Sequence, residues 1–175
     1  MADSDLCRLA ASDILRLTRQ GRITVEAYAR SLLARISQRD PVVQAWAYLD
    51  PCLVITQARE LDKIPQDSRR PLHGLAVGIK DIALTKDMPT RYNSAIYKDD
   101  YSSSADASVV TALRAAGALI VGKTATVEFA TTAEGGPCTN PHNPQHTPGG
   151  SSSGSGAAVA DFQVPMLWGR KLGEV

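Results

Sequence analysis

The sequence shows no excess of either charge and has few aromatic side chains. Its 175 residues contain 19 lysines and arginines against 18 aspartates and glutamates, which gives a net charge of +1, and 5% are aromatic. Nucleic-acid-binding proteins usually carry a basic surface, and those that bind single strands need aromatic rings on which bases stack. The composition therefore argues against a nucleic-acid partner and against binding to an anionic membrane surface.

Cysteines and long apolar runs are also scarce. Cys7, Cys52 and Cys138 are odd in number and form no CxxC pair, which argues against a disulfide framework and against a thiolate metal site. No apolar run approaches the length of about 20 residues that a membrane-spanning helix needs, and no secretory signal is visible. We therefore expect no membrane span, no metal site and a cytoplasmic location.

Apolar residues recur at three- and four-residue spacing in the first forty residues, which predicts two helices. We expect Ser12 or Asp13 to cap the first helix and Thr24 to cap the second. This helical pair is expected to pack on a core supplied by the rest of the chain. The arginines of the second helix lie mostly off its apolar stripe and are interpreted as a solvated face: Arg30, Arg35 and Arg39.

Short apolar segments then alternate with helical patterns. The strands are predicted at 42–49, 72–81 and 118–121, and the helices at 52–62, from Asp106 to Gly117 and at 157–162. Residues 85–105 have no clear period and are interpreted as an extended surface loop. Such alternation is typical of an α/β fold, here with N-terminal helices and part of a mixed β-sheet flanked by helices.

A phosphate-binding pattern is present at Gly117, Gly122, Lys123 and Thr124, which fit G-x-x-x-x-G-K-T. Such a loop follows a strand and opens a helix, and its middle residues are free to turn their amides toward phosphate. Here the middle residues are apolar and a helical pattern precedes them. The competing interpretation is a helix end, a core strand and a turn. A P-loop nucleotide-binding protein is kept as an alternative function.

Two histidines, His142 and His146, are four residues apart. On a helix they would share a metal ion, but Pro141, Pro144 and Pro148 prevent a helix there. They are interpreted as loop residues with no ligand role.

Lys80 ends an apolar strand pattern. A lysine there either extends its amine to water or holds it in a dry site, where desolvation lowers its pKa and leaves an amine able to accept a proton. The run GGSSSGSG at 149–156 also has two interpretations. Its composition is typical of a flexible linker, whereas the apolar segment directly after it indicates a tight loop whose serines pass protons in a site.

Five segments resemble the amidase signature family in their order and spacing: LHGLAVGIKD (72–81), DASVVTALRAAGALIVGKT (106–124), EFA (128–130), NPHNP (140–144) and PGGSSSGSGAAVAD (148–161). The resemblance extends from about Leu72 to Pro165, and the segment at 86–100 resembles fungal members. It implies an incomplete amidase signature fold, hydrolysis of carboxylic amides, a small-molecule amide as the partner, and no cofactor. Hydrolases and amidotransferase components of the family share these motifs, so both remain open.

The resemblance implies catalytic roles for two residues. Lys80 matches the family's catalytic lysine, and Ser151 matches the serine that bridges this lysine to a nucleophilic serine. The peptide between Gly150 and Ser151 is expected to be cis. A neutral lysine would accept the proton of the nucleophile through Ser151, so that the nucleophile attacks the amide carbonyl and forms an acyl-enzyme, which water hydrolyses.

The resemblance implies further roles around this pair. Ser152 is expected to hold the loop by hydrogen bonding, and the turn at Ala130 and Thr131 to line the acyl pocket. The family spacing puts the nucleophile at Val175, which has no hydroxyl. We therefore expect residues 1–175 to be the N-terminal portion of an amidase domain, truncated before the nucleophile, with no second domain and no activity alone. A non-catalytic interaction fragment that self-associates through exposed sheet edges is the remaining alternative.

Overall fold

One mixed sheet lies at the centre of the computed structural model, which describes residues 3–97, 103–131 and 136–169. The strands within these ranges are β1 (Trp46–Leu49), β2 (Ala76–Lys80), β3 (Leu119–Thr124) and β4 (Met166–Trp168). Their order across the sheet is β1-β3-β2-β4. Strand β2 is parallel to both of its neighbours, whereas β1 is antiparallel to β3. The predicted α/β class with a mixed sheet is confirmed.

Helices cover both faces of this sheet. The α-helices of the described part are α1 (Ala11–Arg19), α2 (Val25–Val43), α3 (Pro51–Asp62), α4 (Ser108–Ala115) and α5 (Ser153–Ala160). Short 3₁₀ turns lie at Asp3–Arg8, Gln66–Ser68, Ala95–Tyr97 and Glu128–Ala130. No helix among the described residues is long and apolar enough to cross a membrane.

The two faces of β2 belong to two hydrophobic clusters. Ala76 packs in the larger cluster with buried residues of α2, α3 and α5. Val77 and Ile79 point the other way, into a smaller cluster that contains Val110 of α4. Since side chains alternate along a strand, Lys80 lies on the Ala76 face, the face that α5 covers. The fold thereby directs the lysine toward the serine-rich segment.

The helix boundaries differ from the prediction at several places. The Thr24 cap is confirmed, because its hydroxyl accepts a hydrogen bond from the Ala27 amide at 3.0 Å. Helix α1 instead starts after Ala10, which supplies no side-chain cap. The strand predicted at 42–49 is shorter, because α2 continues to Val43 and ends at Gln44, whose φ of 53° is left-handed. An apolar run alone does not distinguish the end of a buried helix from a strand.

Two surface interpretations are corrected. Residues 85–97 are partly buried. Thr85 and Thr90 have no exposed surface, and the hydroxyls of both donate hydrogen bonds to backbone carbonyls. Helix α4 begins at Ser108 and not at Asp106, whose carboxylate accepts the Lys86 amide at 2.9 Å and so holds this segment. Nor do the arginines of α2 form a purely solvated face. Arg35 and Arg39 both bind the buried carboxylate of Asp161, at 2.9 and 3.1 Å, just beyond α5.

Candidate active site

Lys80 is the last residue of β2 and is completely buried. Its strand pairs with β3 on one side and β4 on the other, so the backbone around the lysine is held by parallel ladders. Burial lowers the pKa of the Lys80 amine from its ordinary value, because the charged form loses its hydration. A lysine in this environment is suited to accept a proton.

Ser151 lies in the loop that leads into α5 and is 3% exposed. The peptide between Gly150 and Ser151 is cis, as the resemblance implies. The Ser151 carbonyl accepts two hydrogen bonds, one from the Thr126 hydroxyl at 2.8 Å and one from the Val127 amide at 3.3 Å. The segment after β3 thus fixes the backbone of this serine. No sequence pattern pointed to Thr126 as a supporting residue.

The structure brings Lys80 and Ser151 together. The distance between Lys80 Nζ and Ser151 Oγ is 2.7 Å, and the two residues are 71 positions apart in the chain. A buried amine in contact with a buried hydroxyl is the arrangement in which a serine transfers a proton to a neutral lysine.

The serine-rich run is a tight loop that turns into a helix. Helix α5 begins at Ser153, inside the run, and Ser155 is fully buried with its hydroxyl 2.7 Å from that of Thr124. Gly154 lies directly against backbone: a Cβ at this position would be 2.2 Å from the Ala45 carbonyl oxygen. Only glycine allows this approach, so the structure favours the tight-loop interpretation over the flexible linker.

The three other predicted site residues occupy different surroundings. Ser152 is half-buried, and its carbonyl accepts the Gly156 amide at 3.0 Å, which helps to hold the start of α5. Ala130 is buried with a φ of 58°, and Thr131 is exposed, with its hydroxyl donating to the Glu128 carbonyl. The turn that contains Ala130 and Thr131 follows directly on the Val127 amide that binds Ser151.

A second buried lysine lies beside the first. Lys123 of β3 is fully buried, and its amine contacts the Asp81 carboxylate at 3.1 Å and the Thr90 hydroxyl. Burial lowers the pKa of Lys123 and raises the pKa of Asp81, whereas their mutual attraction opposes both shifts. This is the lysine of the phosphate-binding pattern. Leu119–Thr124 forms a buried strand, which extends the strand predicted at 118–121 through the residues expected to form a turn, and the Lys123 amine contacts Asp81.

The histidines and the acidic and thiol groups of the described residues do not gather into a metal site. Within the ranges that the structure describes, no group of three His, Cys, Asp or Glu side chains is placed to hold an ion. His142 and His146 lie in a turn closed by the Asn140 amide on the His146 carbonyl, at 2.9 Å. An open cavity of about 550 Å³ lies between α2 and α3 and is lined by none of the predicted site residues.

The structure combines an α/β sheet covered by helices with a buried lysine amine in hydrogen-bond contact with a buried serine hydroxyl. A model of the Amidase family matches residues 27–173. The chain belongs to the amidase signature family.

Relatives and solved structures agree with this assignment. The chain is 39% identical over 173 residues to a glutamyl-tRNA(Gln) amidotransferase subunit of Symbiobacterium thermophilum, a match that covers 94% of this chain and 35% of the relative. The corresponding protein of Acidothermus cellulolyticus is 37% identical over 177 residues, with 97% and 35% covered. The native peptide amidase of Stenotrophomonas maltophilia superposes with a TM-score of 0.80 at 30% identity, over 89% of this chain and 34% of that one.

The chain therefore spans about a third of the length of the relatives that it matches. The position that the family spacing gives to the nucleophile, Val175, lies outside the described residues.

Proposed function

We propose that this chain carries the proton-accepting half of an amide-hydrolysing site, with Lys80 as the general base and Ser151 as the relay. The observation that supports the proposal most directly is the 2.7 Å contact between Lys80 Nζ and Ser151 Oγ, with both side chains buried. Burial lowers the pKa of Lys80, which favours the neutral amine that a base requires.

In the proposed reaction the proton of a nucleophilic hydroxyl moves to Ser151 Oγ while the Ser151 proton moves to Lys80 Nζ. The alkoxide attacks the carbonyl carbon of a carboxylic amide, and the tetrahedral intermediate expels the amine. Lys80 returns its proton through Ser151 to that amine, which leaves an acyl-enzyme. Water, activated by the same pair, then releases the carboxylic acid. Ser152 holds the loop, and the turn at Ala130 and Thr131 lines the acyl pocket.

Titration of Lys80 tests the proposed base. In a chain labelled with ¹³C at the lysine ε-carbon, the Lys80 signal, assigned with a Lys80→Met variant, is expected to titrate below the ordinary lysine value of about 10.4. The Ser151→Ala variant should change that titration, whereas Ser104→Ala, at an exposed serine, should not. A Lys80 amine that titrates at the ordinary value would refute its role as a base.

We further propose that residues 1–175 form the N-terminal portion of an amidase domain and do not turn over amides alone, because Val175, the position that the family spacing gives to the nucleophile, has no hydroxyl with which to attack. Incubation with a fluorophosphonate probe is expected to leave the chain unlabelled. Covalent labelling that disappears in Lys80→Ala and in Ser151→Ala, but persists in Ser104→Ala, would show that another serine acts as the nucleophile and would overturn this proposal.

A role as a component of an amidotransferase is the second candidate, and the 37% and 39% identities to glutamyl-tRNA(Gln) amidotransferase subunits favour it. The amide would then be that of a glutamine side chain, and a second chain would use the released ammonia. For this candidate, glutamine is expected to change the titration of the Lys80 signal, whereas aliphatic or aryl amides of similar size are expected to leave it unchanged.

Strands β1 and β4 form the two edges of the sheet within the described residues, so self-association through these edges is part of the proposal. Sedimentation velocity over a concentration series is expected to show dimers or larger species. A monomer at every concentration would contradict it.

We also propose a cytoplasmic location, because Cys7, Cys52 and Cys138 are all free, as is usual in a reducing compartment.

A further inference from the structure

An open cavity of about 300 Å³ lies at the carboxyl edge of the sheet, where β2 ends. It is lined by Ala47, Asp81, Arg91, Asn93, Ser94 and Ala95. Ligands of open α/β sheets bind outside the carboxyl ends of the strands, and cavities of this size hold small molecules. Asp81 directly follows Lys80, so the cavity adjoins the strand end that carries the proposed base.

Arg91 is the unusual residue of this cavity. Its Nε is buried and has no hydrogen-bond partner among the described residues, although the backbone amide of the same residue binds the Asp81 carboxylate at 3.2 Å. Buried polar atoms of folded proteins nearly always have a partner, so the unpaired Nε marks a guanidinium that the described residues leave incompletely hydrogen-bonded at the wall of a cavity. Guanidinium groups bind carboxylates in a planar, two-pronged geometry.

The charges around the cavity indicate the net charge of the ligand. The Asp81 carboxylate that also lines the cavity is paired with Lys123 at 3.1 Å, so these two charges balance. Of the residues that line the cavity, Arg91 is the one whose charge has no ion pair among the described residues; the Glu128 carboxylate, which accepts the Ser94 hydroxyl, is exposed to solvent and does not line the cavity. A single excess charge suits a carboxylate, whereas a phosphate dianion would add an unbalanced charge beside Asp81. Asn93 and Ser94 add polar groups to the same wall.

The cavity is tied to the proposed acyl pocket. The Tyr92 carbonyl accepts the Phe129 amide at 3.0 Å, and the Ser94 hydroxyl donates to the Glu128 carboxylate at 2.8 Å. Glu128 and Phe129 both belong to the turn that continues from Val127, whose amide binds Ser151. A ligand held at Arg91 is therefore connected through a few hydrogen bonds to the backbone of the relay serine.

We infer that Arg91 forms a subsite for a carboxylate group, so that the substrate is a small amide that also bears a carboxylate. The place of the subsite in catalysis rests on the proposed function, whereas binding of the carboxylate does not. Succinamate, which combines one carboxylate with one amide, is a suitable probe. Succinamide has the same skeleton without the charge and is its matched control.

The Nε–Hε NMR signal of Arg91 in the 175-residue chain reports this binding directly, after assignment with an Arg91→Lys variant. At constant ionic strength, succinamate is expected to shift the signal in a saturable way with a dissociation constant on the order of 1 mM, the range of one charge-assisted contact. Succinamide is expected to leave it unchanged. An equal response to succinamide or to inorganic phosphate, or no response to succinamate, would overturn the assignment.

Two variants at Arg91 separate a binding role from a purely structural one, with the amide spectrum as the readout. Arg91→Gln is expected to weaken succinamate binding by at least about tenfold, the loss expected for a hydrogen bond to a charged group. Arg91→Lys keeps the charge without the planar fork and should give an intermediate loss. Arg22→Gln, at an exposed arginine far along the chain, should bind as the unchanged protein does. Equal affinity in all three variants would also overturn the subsite. Because this readout is independent of the Lys80 titration, either proposal can fail alone.

Discussion

Substitution of Gly154 by alanine tests whether α5 is held against the sheet as closely as the structure shows. The added Cβ would lie 2.2 Å from the Ala45 carbonyl oxygen, 2.4 Å from the Ala125 nitrogen and 2.8 Å from the Ala125 Cβ. Because the first two are backbone atoms, no side chain can rotate away, and α5 has to retreat by roughly 1 Å before contacts become ordinary. That retreat also strains the 3.0 Å hydrogen bond from the Gly154 amide to the Ala125 carbonyl.

Overpacking of a core costs about 1–3 kcal/mol, and the backbone contacts of Gly154 place this substitution at the upper end, about 3 kcal/mol. Gly156 in the same helix is the matched control, since a Cβ there meets nothing within 4 Å. Alanine at Gly156 is expected to stabilise the fold by about 0.5–1 kcal/mol, because it removes the flexibility of glycine from a helix. Urea unfolding followed by tryptophan fluorescence measures both. Equal midpoints for the two variants would refute the close contact of α5 with the sheet.

Three further predictions concern buried titratable side chains. Asp161→Ala leaves two arginines of α2 without their buried partner, so we expect a loss of about 2–3 kcal/mol in urea unfolding, and a near-neutral result would contradict the pairing. Lys123→Met removes the cation beside Asp81, and we expect it to lower the stability by about 3–5 kcal/mol at neutral pH. Burial already raises the pKa of the Asp81 carboxyl, so this loss should become smaller in acid as the carboxyl is protonated. A deficit that stays constant with pH would contradict this. His73 is 4% exposed, neither ring nitrogen has a partner among the described residues, and burial lowers its pKa. Because the unfolded chain then binds the proton more readily, stability should fall as pH drops below about 6.5, and His73→Phe should flatten that slope in unfolding curves at about pH 5.5 and 7.5.

The position of the proposed base could be predicted from the sequence, but its partner could not be predicted from periodicity. An apolar segment that ends in a lysine places Lys80 at the end of a buried strand, which is a local pattern. Ser151 is 71 residues away, and only the family resemblance connected the two. The serine run shows the same limit, because composition reports local flexibility whereas the close contact of Gly154 with Ala45 is a tertiary feature.

The residues whose contacts could not be predicted from the sequence have partners supplied by distant segments. Lys123 matched a phosphate-binding pattern, yet its buried charge is balanced by Asp81, 42 positions earlier and directly after the neighbouring strand. Arg35 lies off the apolar stripe of its helix, but the stripe indicates only which face is apolar and not what packs beside it. The buried carboxylate of Asp161, 126 positions later, makes that face a contact surface.

The long separation between the two halves of the lysine–serine contact has a consequence for synthesis of the protein. A ribosome that adds about 5–20 residues per second needs about 4–14 s to proceed from position 80 to position 151. During this interval Ser151 has not yet been synthesised, and the ammonium group of Lys80 stays hydrated and charged. The amine can therefore be desolvated, and deprotonated more readily, only once the glycine–serine segment has emerged and folded over it.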